Sequence, residues 1–493
     1  MLKRYRVLAV VLIVCMVSMM GRIFFISYFQ SESVTALKNS AIENYGTNRA
    51  LIFDRNMHSL VENETVKQTA VCDNSFVFQV PKRYSDTQLC EHIIGYTNYE
   101  NQGVSGIEKD YDDFLKSFPN YISIQAFKDA KGNKLLGKGT RIIDENRCTN
   151  TGVVLSIDTS IQNIVQTAGK KLKKGAIIVM QADTGDILAS SSFPGFNPNS
   201  VDKYLSDENN RPLINRSFEK YNVGSVFKVI ICLAALEKGI GIEQKYTCNG
   251  KIMCGDVLFH CHKKEGHGTI NMKQALAFSC NTYFIQLAQK IGYQPILDVC
   301  KRLSIEKDCV FSESLVAKGG TIPSAENLSS PAALANFSFG QGELLTSPIW
   351  LCSLYSAIFN GGYYCIPQLV ESTVIEGKKT KINNHTKMQV IDKSVAYTLL
   401  KMLRFPVTDG TGKSAASGKC AVAGKTATAQ TGFYEKNQEK LISYFIGLFS
   451  IKGEKYTVLV MKEGGTSGSA DCAPIFKEIC ESIYDIKVKG NEK

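Results

Sequence analysis

The segment VGSVFKVIICLAALEK, residues 223–238, predicts an apolar helix that begins at Ser225 and ends before Gly239. Ser225 and Lys228 are three residues apart, so a helix places their side chains on one face, about one turn apart. A serine hydroxyl becomes a nucleophile when a neighbouring base takes its proton, and a buried lysine can lose its charge and act as that base. Taken alone, the segment is better explained as a helix cap with a solvated lysine, because Ser-x-x-Lys occurs by chance in most chains of this length.

Two further polar motifs follow along the chain. Ser279-Cys280-Asn281 lies in a helical pattern that we predict to run from Met272 to Ile291, and Lys425-Thr426-Ala427-Thr428 lies in a predicted strand, residues 421–430. Each motif alone fits an ordinary turn or an edge strand. Together they follow the order Ser-x-x-Lys, Ser-x-Asn, Lys-Thr-small, which is the motif order of β-lactamases and penicillin-binding proteins.

With these motifs the sequence resembles the class B penicillin-binding proteins, which are peptidoglycan D,D-transpeptidases. The likeness covers most of the chain and includes NRALIFDRN (48–56), GVSGIEKDYDDFL (103–115), FSFGQGELLTSP (337–348) and NGGYYCIPQLV (360–370). It implies an α+β fold with a single N-terminal transmembrane helix, an elongated pedestal domain, and a penicillin-binding transpeptidase domain with a central antiparallel sheet flanked by helices. It also implies stem peptides and β-lactams as ligands, and a multi-span SEDS-type glycosyltransferase as partner.

The resemblance implies a role for each motif residue. Ser225 is the expected acylated nucleophile, and Lys228 is its base. Ser279 is expected to relay a proton to the leaving amine, and Asn281 to hold an amide of the donor peptide. On the strand, the expected carboxylate-binding residues are Lys425 and Thr426, and the backbone N–H groups of Thr428 and Ser225 are expected to form the oxyanion hole. Ala427 stands where the family usually has glycine, and we expect it to be tolerated.

The N-terminus predicts a membrane anchor. Three basic residues within residues 1–6 precede two apolar stretches that together cover residues 7–29, which is long enough to span a bilayer. The positive charges predict a cytoplasmic N-terminus and an extracytoplasmic bulk, as a single-pass protein of the cell membrane. We expect a tail at residues 1–6, the anchor at 7–29, a pedestal or dimerisation domain at 30–150 and the transpeptidase domain at 151–490.

Other activities remain possible from the same motifs. Water could release the acyl-enzyme, which would make the protein a D,D-carboxypeptidase or a β-lactamase. No Glu-x-x-Leu-Asn motif follows Ser279, which argues against a β-lactamase. A β-lactam-binding sensor or scaffold is a further alternative, although a catalytically silent scaffold would be expected to lose Ser225 or Lys425.

Composition limits the partners. The 493 residues include 57 Lys and Arg against 46 Asp and Glu, a formal net charge of +11. This mild excess suits an anionic surface such as wall polymer or lipid headgroups. The sequence has no basic block with interleaved aromatic residues, so we predict no nucleic-acid partner.

A group of cysteines and histidines lies between the first two motifs. The chain has 16 cysteines and only 6 histidines, yet six of these residues fall between positions 248 and 267. Cys248, Cys254 and Cys261, with His267 or His262, could hold a structural zinc ion, because thiolate and imidazole are the ligands of such sites. A Cys248–Cys261 disulfide and unlinked thiols remain alternatives. Catalysis as described needs no cofactor.

Overall fold

The computed structural model describes residues 2–29, 40–47, 49–62, 64–70, 76–118, 120–128, 134–135, 141–143, 150–382, 385–435 and 437–489. The chain divides into two compact units. The first unit takes its residues from 1–50, 62–83 and 116–149, and the second takes 51–61, 84–115 and 150–493. Because compactness does not show which segments fold independently, the domain boundaries that the sequence predicts stay a prediction.

The first unit contains a long apolar helix, α1 (Leu2–Phe29). Its segment Arg4–Phe25 spans 22 residues with a mean hydropathy of 2.5, and none of it is buried among the residues that the structure describes. At a rise of about 1.5 Å per residue, such a helix matches the hydrocarbon core of a bilayer, about 30 Å thick. By length and composition, α1 can therefore cross a membrane, and it contains the predicted anchor.

The described strands of the first unit pair in antiparallel fashion. Strand Ser40–Thr47 pairs with Asn120–Lys128, which also pairs with Lys134–Leu135 and Arg141–Ile143. Glu64–Ala70 and Phe76–Lys82 form a separate hairpin.

The second unit is built around a five-stranded antiparallel sheet. Its strands are β1 (Gly175–Gln181), β2 (Ile187–Phe193), β3 (Ala423–Glu435), β4 (Gln438–Ile451) and β5 (Glu454–Glu463). They lie in the order β2-β1-β5-β4-β3. Side chains of β1 and β2 are buried on both faces, because helices cover the sheet on either side. The predicted α+β fold with a central antiparallel sheet is confirmed.

The helices that cover the sheet or form the site are α2 (Thr159–Gly169), α3 (Lys228–Glu237), α4 (Met272–Ala277), α5 (Asn281–Ile291), α6 (Pro348–Phe359) and α7 (Ala473–Lys489). The other helices of the second unit are Glu91–Ile94, Gly106–Asp110, Asp112–Lys116, Tyr293–Arg302, Ala325–Leu328, Pro331–Ser338, Lys393–Met402 and Phe405–Thr408. Its other strands are Leu51–Phe53, Tyr96–Thr97, Gly103–Ser105, Gly152–Leu155, Tyr221–Asn222, Lys245–Cys248, Lys251–Cys254, Val257–His260, Gly268–Asn271, Cys309–Val310, Val316–Ala317, Leu345–Thr346, Tyr363–Cys365, Val370–Ile375, Lys378–Lys381 and Lys387–Gln389.

Alternate residues of the sheet face two different helical layers. Ile177 and Val179 of β1 belong to a core cluster with α2 and α7, in which the Phe445 and Phe476 rings are 4.7 Å apart. On the opposite face, Ser356 of α6 donates a hydrogen bond to Thr457 of β5 at 2.8 Å. Successive side chains of a pleated strand point to opposite faces of the sheet, so every second residue faces the same helical layer.

Helix α6 also connects the sheet to α3. Tyr355 donates its hydroxyl hydrogen to the carbonyl oxygen of Val226 at 3.0 Å, and both residues are buried. Residues Lys228–Ala235 of α3 are all buried, which explains the nearly continuous apolar run in the sequence. This hydrogen bond therefore ties the turn that leads into α3 to the helix that covers the sheet.

The prediction of one continuous helix from Met272 to Ile291 is wrong. Helix α4 ends at Ala277 and α5 begins at Asn281, with Ser279 between them in the left-handed region at φ 55°. No glycine or proline marks the break, so the residue pattern alone continues the helix through it. A non-glycine residue in this conformation costs about 1–3 kcal/mol and usually persists at functional sites.

Candidate active site

The turn that carries Ser225 is held by glycines. Residues Gly224–Phe227 form a 3₁₀ turn that leads directly into α3. The Gly224 N–H donates to the Gly340 carbonyl oxygen at 2.8 Å. A Cβ atom on Gly340 would lie 2.0 Å from the Gly224 carbonyl oxygen, so only glycine fits there. The Gly340-Gln341-Gly342 segment therefore fixes the position of the serine.

The Lys228 amino group is the centre of the site. Its Nζ lies 3.1 Å from Ser225 Oγ and 3.2 Å from Ser279 Oγ. It also lies 2.7 Å from both the Ser279 carbonyl oxygen and Asn281 Oδ1. Lys228 is fully buried, and burial lowers its pKa to about 8.

These four contacts suit a neutral amine. The Ser279 carbonyl oxygen and Asn281 Oδ1 can only accept hydrogen bonds, so they take the two N–H groups of an uncharged lysine. The lone pair on Nζ is then available to a hydroxyl hydrogen of Ser225 or Ser279. The break between α4 and α5 brings both Ser279 oxygens and Asn281 Oδ1 to Lys228 Nζ. The left-handed backbone of Ser279 makes this convergence possible.

Strand β3 forms the opposite wall. Lys425 is fully buried, and its Nζ donates to the Thr426 carbonyl oxygen at 2.9 Å. Burial, and then the nearby Lys228 charge, hold the pKa of Lys425 well below its usual range. The hydroxyl groups of Thr426 and Thr411 are hydrogen-bonded at 2.6 Å. The Thr428 hydroxyl accepts a hydrogen bond from the Gly468 N–H at 3.4 Å.

The three motifs border one cleft of about 380 Å³. Ser225, Ser279, Asn281, Thr426 and Thr428 line it, as the sequence predicts, whereas Lys228 and Lys425 lie buried behind its surface. The catalytic and binding roles of these residues stay predictions, but their proximity is a feature of the structure.

Several residues that line the cleft were not predicted to do so. They are Phe339, Gln341, Thr411 and Ser469, together with His262, which the sequence offered only as a candidate metal ligand. Gln341 could have been found, because it stands between the two glycines of FSFGQGELLTSP. Thr411 carries no motif signal, because its position depends on a hydrogen bond across to β3.

Ala427 is buried in the wall of the cleft with 3% of its surface exposed. The backbone at Gly468 passes close to Ala427. A Cβ atom on Gly468 would lie 2.6 Å from the Ala427 carbonyl oxygen and 2.1 Å from the Tyr444 carbonyl oxygen. The expectation that Ala427 is tolerated stays a prediction.

The structure brings together a different group of candidate metal ligands from the one that the sequence predicts. Cys248, Cys261 and His267 come together, but the fourth member of the group is Cys280, from the second motif. Cys254 lies elsewhere: it is buried against Phe259 and Ile285, and Gln289 Nε2 is 3.3 Å from its sulfur. His262 is also outside the group and faces the cleft. Both members of the Cys248–Cys261 pair are free thiols in the structure.

A serine hydroxyl within hydrogen-bonding distance of a buried lysine amine, opposite a strand that carries a second lysine, is the arrangement of a serine acyltransferase of the penicillin-interacting type. Comparison with known families agrees with this class. Residues 175–481 match the penicillin binding protein transpeptidase domain, and the chain therefore belongs to the penicillin-binding protein transpeptidase family. The predicted family is confirmed.

Known relatives share most of the chain. It is 28% identical over 457 residues to stage V sporulation protein D of Bacillus subtilis, covering 87% of this chain and 68% of that protein. It is 26% identical to the peptidoglycan D,D-transpeptidase FtsI of Buchnera aphidicola subsp. Baizongia pistaciae, covering 82% and 70%. The crystal structure of the D,D-transpeptidase domain of a peptidoglycan glycosyltransferase from Eggerthella lenta superposes with a TM-score of 0.72 at 25% identity, covering 90% of this chain and 99% of that one.

The pKa of Lys228 predicts how acylation depends on pH. We expect the rate of acylation by a penicillin to rise as the pH increases through about 8, because only the uncharged amine can take the serine proton. The other titratable groups that face Lys228 are Lys425 and the thiols of Cys232, Cys261 and Cys280. Rapid-mixing kinetics at constant ionic strength will measure the profile, with the melting temperature followed at each pH as a control. A rate that does not change across this range would contradict Lys228 as the base.

Proposed function

We propose that this protein is a membrane-anchored peptidoglycan D,D-transpeptidase that cross-links stem peptides through an acyl-enzyme on Ser225, and that β-lactams acylate the same residue. The observation that carries the proposal is the position of Lys228 Nζ, 3.1 Å from one serine hydroxyl and 3.2 Å from another. One buried amine can thus serve the nucleophile and the proton relay in turn. The named activity of the Buchnera relative supports the same reaction.

In the first half-reaction the uncharged Lys228 amine takes the Ser225 hydroxyl proton as Oγ attacks the carbonyl carbon of the penultimate D-alanine. The carbonyl oxygen becomes an oxyanion, which the N–H groups of Ser225 and Thr428 stabilise in this proposal. When the C–N bond breaks, the proton on Lys228 passes through the Ser279 hydroxyl to the amine of the leaving D-alanine. The ester on Ser225 remains.

In the second half-reaction an amino group of another stem peptide attacks the ester carbon. Lys228 takes the amine proton and returns it to Ser225 Oγ as the ester bond breaks, so a peptide cross-link forms and the enzyme is regenerated. A β-lactam passes through the first half-reaction only, because its leaving amine stays attached to the acyl group and blocks the acceptor.

Carboxylate recognition is assigned to β3. A peptide that ends in D-alanine and a penicillin both carry a carboxylate, which accepts a hydrogen bond from the Thr426 hydroxyl at the cleft surface. Lys425 lies beneath that surface, and an incoming carboxylate favours its protonated form, although burial holds its pKa low in the empty site. An added β-strand along β3 would place the peptide backbone in register for attack by Ser225.

Three substitutions separate these roles. Ser225→Ala should abolish covalent labelling by penicillin, because no hydroxyl oxygen remains to be acylated. Lys228→Ala should slow labelling by about 10²- to 10⁴-fold, the usual effect of losing a general base. Lys425→Ala should slow it by about 10- to 150-fold, because a charge-assisted contact contributes about 1.5–3 kcal/mol. Intact-protein mass spectrometry over time will measure the rates.

The matched control is Lys419→Ala, which removes an exposed lysine paired with Asp485, outside the residues that line the cleft. It should leave the labelling rate unchanged. Labelling of Ser225→Ala at the normal rate would show that the nucleophile is wrongly assigned. In the presence of synthetic stem peptides, a cross-linked product supports the transpeptidase, whereas release of the shortened peptide alone would indicate the carboxypeptidase.

We also propose that the N-terminus is cytoplasmic and the bulk of the chain extracytoplasmic. The basic residues of the first turns precede the apolar part of α1, which is the charge distribution of that orientation. In wall-stripped cells, added protease should digest the chain beyond residue 30 and leave an N-terminal epitope tag protected. Digestion of the tag with protection of the catalytic domain would indicate the reverse orientation, and cell lysis before proteolysis is the control.

A multi-span SEDS-type glycosyltransferase is the partner that the family resemblance implies. Support comes from α1, whose apolar side chains are uncovered within the described part of the chain, for example Leu12 at 57% and Val17 at 63% exposure. A photo-crosslinking residue at position 12 or 17 should capture such a glycan polymerase in native membranes, and the same residue at Tyr397, an exposed position of the second unit, should not. Capture of lipid alone from both α1 positions would contradict this partner.

A further inference from the structure

The geometry points to a zinc site formed by Cys248, Cys261, His267 and Cys280, which positions the second catalytic motif. The ligand atoms of these four residues all lie within 4.8 Å of one another. The site lies outside the reaction steps described above, and it connects to them only through the residues on either side of Cys280.

The distances match a tetrahedral ion. With Zn–S bonds of about 2.3 Å and a Zn–N bond of about 2.0 Å, tetrahedral ligands are about 3.8 Å apart for two sulfurs and about 3.5 Å apart for sulfur and nitrogen. The Cys261 and Cys280 sulfurs are 3.9 Å apart. His267 Nδ1 lies 3.5 Å from the Cys261 sulfur and 3.6 Å from the Cys248 sulfur. One ion can therefore reach all four atoms without a large rearrangement.

The donor set selects the metal and its role. Three thiolates and one imidazole are the ligands of a structural Zn²⁺ site, and the full set of four leaves no open position for water or substrate. Cys248, Cys261 and Cys280 are each at most 3% exposed, so the ion would be shielded from solvent on that side. Binding removes three thiol protons, which leaves a net charge of −1 on the ion with its ligands.

Two ligands are brought together by a strand pairing. Cys248 ends the strand Lys245–Cys248 and lies opposite Gly268, the residue after His267. The turn is tight, because a Cβ atom on Gly266, at φ 85°, would lie 2.1 Å from the Cys248 carbonyl oxygen. This close approach directs the cysteine and the histidine to the same point.

The third ligand comes from a neighbouring hairpin. Strand Val257–His260 ends next to Cys261, whose N–H donates to the Gly250 carbonyl oxygen at 2.8 Å. The small β-segment of residues 245–271 thus presents three ligands toward α5. Much of it is exposed, including Met253 and Leu258, so it has little apolar core of its own and gains most from a metal crosslink.

The fourth ligand joins this segment to the catalytic site. Cys280 is bonded through the backbone to Ser279 and Asn281, which supply three of the four oxygen contacts of Lys228. Asn281 Nδ2 also donates to the carbonyl oxygen of His260, beside Cys261, at 3.3 Å. A metal that fixes Cys280 therefore fixes the left-handed Ser279 and, through it, the base. Cys280 is a positioning residue in this proposal.

The test begins with metal content. Full-length protein, extracted in detergent and purified under reducing conditions, should contain about one zinc ion per chain by elemental analysis. Cys280→Ser should lose most of it. Cys254→Ser is the matched control, because Cys254 is also buried and close in sequence but lies outside the group, and it should keep the zinc. A wild-type chain without zinc, or equal loss in both variants, would overturn the proposal.

Spectroscopy and kinetics then separate a metal site from a merely structural thiol. Exchange of the native ion for Co²⁺ should give the visible bands and the sulfur-to-metal charge transfer of a tetrahedral thiolate site, and their absence would contradict it. Removal of zinc with a chelator should slow penicillin acylation by about 10- to 100-fold, the usual effect of disturbing a supporting shell, and added Zn²⁺ should restore the rate. An unchanged rate would refute the positioning role.

The outcome is independent of the proposed activity. Ser225→Ala should keep its zinc although it cannot be acylated, so a zinc-containing wild-type chain that fails to label would contradict the transpeptidase and leave the metal site standing. If Cys280→Ser does not fold, the zinc content and cobalt spectrum of the wild-type chain still decide. A disulfide between Cys261 and Cys280, detected by mass mapping of protein purified without oxidant, would replace the metal as the link.

Discussion

Burial of the Lys228 amine beside Ser225 is the constraint on which the rest of the site depends. An ammonium group in a protein interior is unfavourable by several kcal/mol unless it is paired or loses its proton. Here its near neighbours are uncharged oxygens, two of which can only accept hydrogen bonds. Folding therefore lowers the pKa of this amine to about 8, and it does so by packing the start of α3 against the α4–α5 break.

The irregular backbone segments near the site hold Ser225 and Lys228 in position. The Gly340 approach holds the Ser225 turn, and Tyr355 of α6 ties the same turn to the layer that covers the sheet. The left-handed Ser279 turns two of its oxygens toward one nitrogen. These features come from segments far apart in the chain, so the activity depends on the whole second unit rather than on any one motif.

The order of the three motifs, and the family resemblance that they carry, predicted the fold class and the site, because such motifs can be recognised in the residues themselves. The predicted helix from Met272 to Ile291 was wrong at Ser279, because the helical pattern continues through the break and the turn that Ser279-Cys280-Asn281 alone would fit was not placed there. Cys254 was predicted as a candidate ligand and Cys280 was not, because Cys280 was already accounted for as the middle of a motif, whereas the structure groups Cys280 with Cys248, Cys261 and His267. The positions of the thiols in space depend on how the short strands pair, and the spacing of cysteines along the chain does not reveal that pairing.

The pair of buried lysines has a consequence for which molecules enter the cleft. Lys228 and Lys425 are both fully buried, and within the described residues neither amine contacts a carboxylate. Burial and mutual repulsion hold the pKa of both amines below the usual lysine range, so the two are not readily protonated together in the empty site. A ligand that brings one negative charge favours protonation of an amine beside it, whereas a neutral amide of the same shape does not. Binding of a carboxylate and uptake of a proton are therefore linked in this cleft, which favours an anionic ligand over a neutral one of the same shape.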